Sequence, residues 1–313
     1  MDRAGSEEKM EKMKKINKKK KEHFSFVNSS LLVILTVYSL FLGILLLWGT
    51  ITSIKTLDDF YGNKFGLPSG ALTEWGWDNY IYVFENFAVK VKDANGRILR
   101  VDMLGQTFNT LQYAVLGSLV TTFCCCLVAY LTAKFNFLLS KILYTLVLVV
   151  MVIPIVGNTP SMLLFLKETG LYDTWIGTYM MKFTFLGLYF LVFNGVYEGI
   201  SSEYSEAATI DGANEYQIFF KLMLPLVKPT FNTVFLIHFI GYWNDYTMAL
   251  MYMPSHPTLA YGVYYLSVSN EPGMSYAPMR MVACVILALP ITIMFVVFRE
   301  KLLGNTTAGG VKE

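Results

Sequence analysis

Long apolar runs set the strongest limit on how this chain can fold. Several of them exceed the roughly 20 residues that a helix needs to cross about 30 Å of hydrocarbon. Hydrophobic residues make up 54% of the 313 positions, and charged residues make up only 15%. The hydropathy pattern predicts six membrane spans, near residues 30–51, 111–133, 142–165, 179–199, 230–252 and 281–298. The sequence therefore predicts an all-α, polytopic membrane protein.

The basic residues are unevenly distributed around these spans. A lysine-rich cluster, KMEKMKKINKKKK, occupies residues 9–21, directly ahead of the first span. Such a cluster could bind nucleic acid or anionic lipid, but its position favours topology marking under the positive-inside rule. The net charge of +2 is also too small to indicate a polyanionic partner. With an even number of spans, both termini and most of the basic residues are then predicted to be cytoplasmic.

The spans divide the chain into five parts. These are a basic amino-terminal segment (1–29), the first span (30–51), an extracytoplasmic segment (52–110), a core with five spans (111–298) and a carboxyl-terminal tail (299–313). The extracytoplasmic segment carries turn signals and the alternating run Ile98–Val101, which predict a small ordered cap. This cap could dock a receptor or simply cover the helix ends. Pro154 interrupts the third span, either as a bend beside a translocation path or as an inert kink.

The residue types that usually carry catalysis or bind metals are not grouped here. Cys124, Cys125 and Cys126 point about 100° apart on a helix, so they cannot chelate one ion together, and apolar packing is the favoured interpretation. The histidines, at positions 23, 238 and 256, are widely separated. Motifs for phosphate binding, zinc proteolysis and serine hydrolysis do not occur. The sequence predicts neither an enzyme nor a metal protein, and any ATP must bind elsewhere.

The 200–229 loop, a polar segment between two apolar stretches, contains EYSEAATIDGANEYQIFFKLMLPLVKP at residues 203–229. Ser201 or Ser202 could cap a short helix, and Gly212 permits a sharp change of direction. A second apolar stripe is predicted to contain Tyr216, Phe219, Phe220 and Met223. The loop could be a pair of amphipathic helices on the membrane surface. The small Ala207-Ala208 pair and the acidic first turn favour a helix that docks another protein.

The predicted fifth span contains ionisable and aromatic side chains at membrane depth. His238 and Asp245 would share one helical face, where they could form a proton relay or a polar contact inside the bundle. Tyr242 and Trp243 could stack on a sugar in the pore or could be packing residues. The pore-facing candidates are His238, Tyr242, Trp243, Asn244 and Asp245.

The 200–229 loop resembles the EAA loop of binding-protein-dependent ABC importer permeases. Its residues match the whole pattern of Glu206-Ala207-Ala208, three residues, Gly212, nine residues, an aliphatic residue, one residue, and Leu224-Pro225. Beyond the loop, the chain is similar to carbohydrate importer permeases of the type of the maltose system's smaller permease. The supporting segments include Trp77–Tyr80, Phe108–Thr110, Gly170–Thr174, Trp243–Asp245 and Thr306–Lys312.

The resemblance implies a type I importer permease whose loop fits a cleft of a separate ATPase subunit. The ATPase-coupling residues it implies are Glu206, Ala207, Ala208, Asp211, Gly212, Ala213, Leu224 and Pro225. Further contacts in the carboxyl-terminal tail would be made by Gly309, Gly310, Val311 and Lys312. The implied partners are a second, homologous permease, two ATP-binding subunits, an extracytoplasmic solute-binding protein and the lipid bilayer. The implied location is a bacterial or archaeal cytoplasmic membrane.

Two other functions compete with this one. A proton-coupled secondary transporter would use His238 and Asp245 without an ATPase. A membrane enzyme would place an active site in the extracytoplasmic segment and would turn over substrate by itself. The importer interpretation is favoured because the EAA pattern is matched throughout.

Overall fold

The protein is described by a computed structural model for residues 26–92, 97–135, 137–153 and 157–304. The lysine-rich cluster at 9–21, Pro154 and the tail contacts at 309–312 lie outside these residues. The described chain consists of helices and a short antiparallel hairpin, which agrees with the predicted all-α class. The elements up to the first long core helix are α1 (Phe26–Ser53), α2 (Leu57–Gly62), α3 (Asp78–Asn86), β1 (Ala88–Lys92), β2 (Ile98–Asp102) and α4 (Met103–Lys134).

The remaining elements form the rest of the core and the loop. They are α5 (Leu138–Val152), α6 (Thr159–Glu168), α7 (Trp175–Lys182), α8 (Leu188–Glu198), α9 (Glu203–Ile210), α10 (Glu215–Gln217), a π-helix (Ile218–Met223), α11 (Leu224–Leu226), α12 (Lys228–Trp243), α13 (Tyr246–Met251), α14 (Leu259–Val268) and α15 (Ala277–Gly304). The predicted core at 111–298 therefore contains more and shorter helices than the hydropathy pattern indicates.

Helix α4 is the central element of the fold. It has 32 residues and is therefore about 48 Å long. Asp102 caps its first turn, since the carboxylate accepts a hydrogen bond from the Gly105 amide at 2.9 Å. Helices α7, α8 and α12 pack around it. The buried hydroxyls of Thr110 and Ser118 donate to carbonyls one turn earlier, so these donors are satisfied within the helix. The buried thiols of Cys124, Cys125 and Cys126 are free.

Two hydrophobic clusters lie along α4. The loop-side cluster joins α4 and α8 to the π-helix through Tyr130, Tyr197 and Phe219, all of which are buried. The hairpin-side cluster joins α12, α14 and α15 to the residues just before β1, with Trp243 and Phe87 at its centre. Because both clusters include residues of α4 or its first turn, the two ends of the molecule are connected through one long helix.

Helices that satisfy the length and hydropathy requirements for a membrane span are fewer than the six predicted spans. Three such helices occur among the described residues, at Ser29–Ser53, Met103–Lys134 and Ala277–Phe298. A fourth is possible if Glu215–Leu226 and Lys228–Trp243, which meet at 75°, form one broken span. The predicted third and fourth spans are each divided into shorter helices, α5 with α6 and α7 with α8. Hydropathy averages over such breaks, so it does not detect them.

The described residues between α1 and α4 form two short helices and a hairpin, in the segment where the turn signals predicted a small cap. Strands β1 and β2 pair antiparallel with Val89 opposite Val101, so the run Ile98–Val101 forms the second strand. Lys90 of β1 forms an ion pair with Glu271 at 2.9 Å, which ties the hairpin to the turn before α15. The hydrogen bond from Lys90 lowers the pKa of the Glu271 carboxyl, so this contact is lost when the pH falls far enough to protonate Glu271.

Candidate functional site

The 200–229 loop begins with a short helix that ends in a sharp turn. The Ser201 hydroxyl accepts a hydrogen bond from the Glu203 amide at 3.3 Å at the start of α9, whereas Ser202, the N-cap residue, forms no side-chain capping bond. At the other end, the Ala213 amide donates to the Ala208 carbonyl at 2.9 Å and the Gly212 amide donates to that of Thr209 at 3.0 Å. This pair of bonds is a Schellman motif, and it requires Gly212 to adopt a left-handed conformation with φ of 84°. The turn predicted at Gly212 is present.

The second half of the loop is closed by a capping box. The Asn214 side chain accepts from the Gln217 amide at 2.9 Å, and the Gln217 side chain accepts from the Asn214 amide at 3.0 Å. A π-helix follows, in which the wider hydrogen-bonding pattern winds the chain less tightly than an α-helix. Pro225 and Pro229 lie on either side of the break between α11 and α12, where the sequence placed the end of the loop.

The π-helix corrects the predicted apolar stripe. Phe219 and Met223 are buried in the loop-side cluster as expected, and Ile218 joins them. Tyr216 and Phe220, however, are 79% and 51% exposed. Because a π-helix has more residues per turn than an α-helix, residues three apart no longer share a face, whereas residues four apart still do, as Phe219 and Met223 show. The two exposed aromatic rings therefore belong to the outer surface of the loop.

The predicted coupling residues are divided between the outer surface and the core. Ala208, Ala213 and Leu224 are half-buried and pack against the loop-side cluster. The exposed members are Glu206, Ala207, Asp211, Gly212 and Pro225. A cleft of ≈ 470 Å³ lies between the two halves of the loop and is lined by Ala208, Asp211, Gly212, Ala213, Gln217, Ile218, Lys221 and Leu222.

Ile210 is a surface residue that the sequence analysis missed. It lies in the last turn of α9, next to the Gly212 turn, and its side chain is 87% exposed. Ile210 precedes the Gly212 turn and the exposed Tyr216 follows it, and two exposed apolar side chains on one loop are typical of a surface that another protein covers. In the sequence, this residue could have been noticed as a large aliphatic side chain next to polar residues at the end of the helix.

A second group of polar side chains surrounds the break between α12 and α13. Tyr113 of α4 donates a hydrogen bond to Oδ2 of Asp245 at 2.7 Å, and Oδ1 of Asp245 accepts from the Met248 amide at 3.1 Å. The Nζ of Lys182 lies 3.8 Å from Oδ2 of Asp245. The same ammonium lies 4.2 Å from the centre of the Tyr242 ring, within cation–π distance. Asp245 thus connects α4, α7 and α13.

Lys182 was also missed by the sequence analysis. Its side chain is only 16% exposed, and Asp245 is the carboxylate within ion-pair distance of it. The available signal was a lysine inside the predicted span 179–199, because an ionisable residue at membrane depth needs a partner. Tyr113, the hydroxyl partner of Asp245, carried no comparable signal in the sequence.

His238 and Asp245 are not part of one helical face. Helix α12 ends at Trp243, and Asp245 is the N-cap of α13, so the continuous span predicted at 230–252 is broken. His238 instead lies against α4, with Nδ1 3.0 Å from the hydroxyl of Thr122. The structure therefore corrects the predicted alignment of these two residues.

The other three pore-facing candidates have separate environments. Trp243 is 2% exposed and donates from Nε1 to the Leu287 carbonyl at 3.0 Å, so it packs inside the subunit. Asn244 is exposed, and its amide nitrogen bonds the Ile240 carbonyl of its own helix end. Tyr242 is half-buried, and its hydroxyl lies 2.9 Å from that of Thr121.

Three helices are long and apolar enough to cross a membrane among the described residues, and a bent polar loop joins two of the apolar segments, as expected of a membrane-embedded protein. Residues 126–302 match the family model of the binding-protein-dependent transport system inner membrane component. Because this match covers more than half of the chain, the protein belongs to that family. It is a membrane-embedded permease subunit of a binding-protein-dependent, ATP-driven importer.

Related proteins support this assignment. The chain is 25% identical over 238 residues to the arabinooligosaccharides transport system permease protein AraQ of Bacillus subtilis, covering 75% of this chain and 79% of that protein. It is 24% identical over 294 residues to the diacetylchitobiose uptake system permease protein NgcG of Streptomyces coelicolor, covering 91% and 88%. It is 32% identical over 193 residues to the maltose/maltodextrin transport system permease protein MalG of Photorhabdus laumondii, covering 59% and 64%.

The fold is shared with a solved structure. The chain superposes with a TM-score of 0.70 and 22% identity on a chain of a bacterial ABC transporter involved in the import of the acidic polysaccharide alginate, covering 89% of this chain and 97% of that one. Members of the family are transport subunits rather than enzymes, and they work with another permease, an ATPase and a binding protein.

Proposed function

We propose that this permease subunit imports a sugar or an oligosaccharide, and that its 200–229 loop is the surface on which an ATPase subunit docks. The observation that carries the docking proposal is the exposed Ile210 and Tyr216 beside a turn fixed by the Schellman bonds of Gly212. The carbohydrate proposal is supported by the names of the relatives, which transport arabinooligosaccharides, diacetylchitobiose and maltodextrins.

The loop has the properties of a docking surface. Its two halves are closed by local hydrogen bonds, so little conformational freedom is lost when a partner binds. The cleft between the halves is small and partly apolar, with Ala208 and Gly212 allowing a foreign side chain to approach closely. Glu206 and Asp211 are exposed at its edge, where they can pair with basic groups of the partner.

The inner surface of the loop would transmit the motion. Phe219 packs on Tyr130 of α4 with ring centres 5.0 Å apart, and Phe123 contacts Phe219 at 6.2 Å. Met223 is fully buried in the same cluster. Because such a packed interface resists continuous deformation, a displacement of the loop would move α4 and α12 as well. ATP-driven closure of the partner would thereby change the arrangement of the membrane helices.

The proposed assembly contains this subunit, a second homologous permease, two ATP-binding subunits and an external solute-binding protein. We place the 200–229 loop, both termini and the basic residues near them in the cytoplasm, as the positive-inside rule indicates. The half-buried Tyr242 and the Lys182–Asp245 pair are the polar groups proposed to face the solute path.

A sugar screen tests the proposed function. In the complete complex reconstituted in nanodiscs, ATP hydrolysis is expected to rise several-fold when the solute-binding protein is loaded with its cognate sugar. The measurement is phosphate release with a panel of mono-, di- and oligosaccharides, and an unloaded binding protein is the control. Stimulation by amino acids or metal ions, with none by any carbohydrate, would overturn the substrate assignment.

A substitution on the outer surface tests the docking assignment. Ile210→Glu is expected to weaken ATPase binding by at least about 2 kcal/mol, roughly 30-fold in Kd, because it places a charge in a desolvated contact. The measurement is the affinity of the purified ATPase for the permease in nanodiscs. Ile98→Glu is the matched control, since Ile98 is 69% exposed on the hairpin at the other end of the molecule. Equal ATPase affinity for the two variants would contradict the assignment.

The alternative of proton-coupled transport finds no support in the relatives, which belong to importer systems. His238 and Asp245 also lack the shared helical face on which the alternative depended. We expect uptake in vesicles to persist after the proton gradient is dissipated, as long as ATP remains.

A further inference from the structure

The first helix, α1, has an apolar surface around its whole circumference. Leu31, Leu32, Val33, Ile34 and Leu35 are consecutive, so at about 100° per residue they point in every direction. All five side chains are between 52% and 63% exposed. Helix α15 packs along α1, but most of its surface is free to contact lipid.

The end of α1 is attached to the segment that follows it. Nε1 of Trp48 donates a hydrogen bond to the Lys64 carbonyl at 2.9 Å. The Trp48 ring also contacts the ring of Phe65, with centres 6.3 Å apart. Residues 57–72 therefore fold back to the level of Trp48, one turn before α1 ends at Ser53. We refer to residues 57–72 as the return segment.

The return segment is held in shape by its own hydrogen bonds. The Asp59 carboxylate accepts from the Ser69 hydroxyl at 2.6 Å and from the Ser69 amide at 3.2 Å. Oδ1 of Asn63 accepts from the Gly66 amide at 2.8 Å, and the Asn63 carbonyl accepts from the buried Lys55 ammonium. The side chains of Asp59, Asn63 and Ser69 thus bond within the segment, whereas Asp58 and Lys64 are exposed.

The apolar side chains of the return segment point outward. Phe65 is 82% exposed, Leu67 is 66%, Leu72 is 65% and Tyr61 is 62%. These four residues lie within twelve positions of one another, and the Trp48–Phe65 contact brings the segment that carries them to the lipid-facing end of α1. An unpartnered patch of this kind needs a non-aqueous environment.

The length of α1 sets the depth of this patch. The 20 residues from Ser29 to Trp48 make a helix about 30 Å long, which matches the hydrocarbon thickness of a bilayer. Trp48 then lies at the boundary between hydrocarbon and headgroups, where tryptophan and tyrosine are enriched. Because Phe65 is in contact with Trp48, it lies beside this boundary and not above it.

We propose that the return segment is a membrane-interface anchor, in which Tyr61, Phe65, Leu67 and Leu72 insert into the headgroup and upper acyl region of the leaflet at that end of α1. A docked soluble receptor would need the patch to project into water, whereas the Trp48 contact holds it at the bilayer boundary. The anchor would fix the height of α1 and of the cap above it.

Spin labelling in nanodiscs of phosphatidylcholine and phosphatidylglycerol tests the anchor. A nitroxide is attached at Phe65→Cys in the complete complex, with Cys284→Ala removing the exposed native thiol. Its collision rates with oxygen, which partitions into lipid, and with a water-soluble nickel chelate are then measured. The oxygen-to-nickel ratio at residue 65 is expected to be several-fold higher than at the control Ile98→Cys.

Ile98 is a suitable control because it is apolar and 69% exposed, and the hairpin is expected to lie beyond the membrane. The hairpin precedes α4, and the predicted second span begins only at residue 111, eight residues after α4 begins at Met103, so the first two turns of α4 are expected to extend beyond the hydrocarbon. Equal ratios at residues 65 and 98 would overturn the anchor. Low collision rates with both reagents at residue 65 would show a protein covering the patch, which would also overturn it. Both results would leave the proposed transport of a sugar unaffected, because they concern only the position of the return segment.

Discussion

Gly212→Pro is expected to abolish solute uptake while leaving the protein inserted in the membrane. Proline fixes φ near −65°, whereas this position has φ of 84°, and proline also removes the amide that donates to the Thr209 carbonyl. The Schellman turn cannot form, so α9 no longer sits at its present angle to the rest of the loop. A local cost of about 3 kcal/mol or more should reduce ATPase binding by at least 100-fold. Uptake and ATPase affinity are measured in the same proteoliposomes.

Gly212→Asn provides the matched control. Asparagine is the non-glycine residue that most readily adopts the left-handed conformation, and nothing lies within 4 Å of the Cβ it would add. Uptake should therefore remain close to that of the unmodified protein. If the proline variant transports normally with normal ATPase binding, the 200–229 loop is not the coupling element.

Asp245→Ala is expected to lower the stability of the subunit by about 3 kcal/mol. The substitution removes the cap of α13, the acceptor for Tyr113 and the ion-pair partner of the largely buried Lys182. Removing one partner of a buried ion pair costs more free energy than the intact pair contributes, because it leaves an unpaired buried charge. The lost cap adds about 1 kcal/mol to this cost. The midpoint of thermal unfolding in detergent and the yield of assembled complex are the measurements.

Two further variants separate charge from hydrogen bonding at this position. Asp245→Asn retains an oxygen for the Met248 amide, and its NH2 group can donate to the Tyr113 hydroxyl, so its loss of stability should be smaller. Adding Lys182→Met to Asp245→Ala should restore part of the lost stability, because it removes the unpaired ammonium. Equal destabilisation by the single and double variants would contradict the ion-pair account. Loss of uptake by Asp245→Asn in a stable complex would instead revive a proton relay.

Local patterns predicted much of the 200–229 loop. The turn at Gly212 depends on residues close in sequence and is present in the structure, as are the cap at Asn214 and the prolines at the end of the loop, which are equally local features. The residues of the predicted apolar stripe do not all share one face, because the segment contains a π-helix. Nothing in the composition distinguishes a π-helix from an α-helix. Ile210 was missed because exposure depends on what covers a side chain, which periodicity alone does not show.

The polar cluster could not be assembled from the sequence. Lys182 and Asp245 are 63 positions apart and Tyr113 and Asp245 are 132 apart, so only the packing of α4, α7 and α13 brings them together. The predicted partner of Asp245 was His238, because a continuous helix would have aligned them. The break after Trp243 moved Asp245 to a helix cap and changed its neighbours.

By itself the sequence determined that this protein is a helical membrane subunit with a bent polar loop between apolar stretches, because apolar run lengths, glycine positions and caps act over a few residues. Only the tertiary structure decided where the long spans break, which loop side chains face outward, how Lys182 finds its carboxylate and how residues 57–72 fold back to Trp48. Those features depend on contacts between distant segments, whose free energies are set by packing and burial and have no signature in the local pattern.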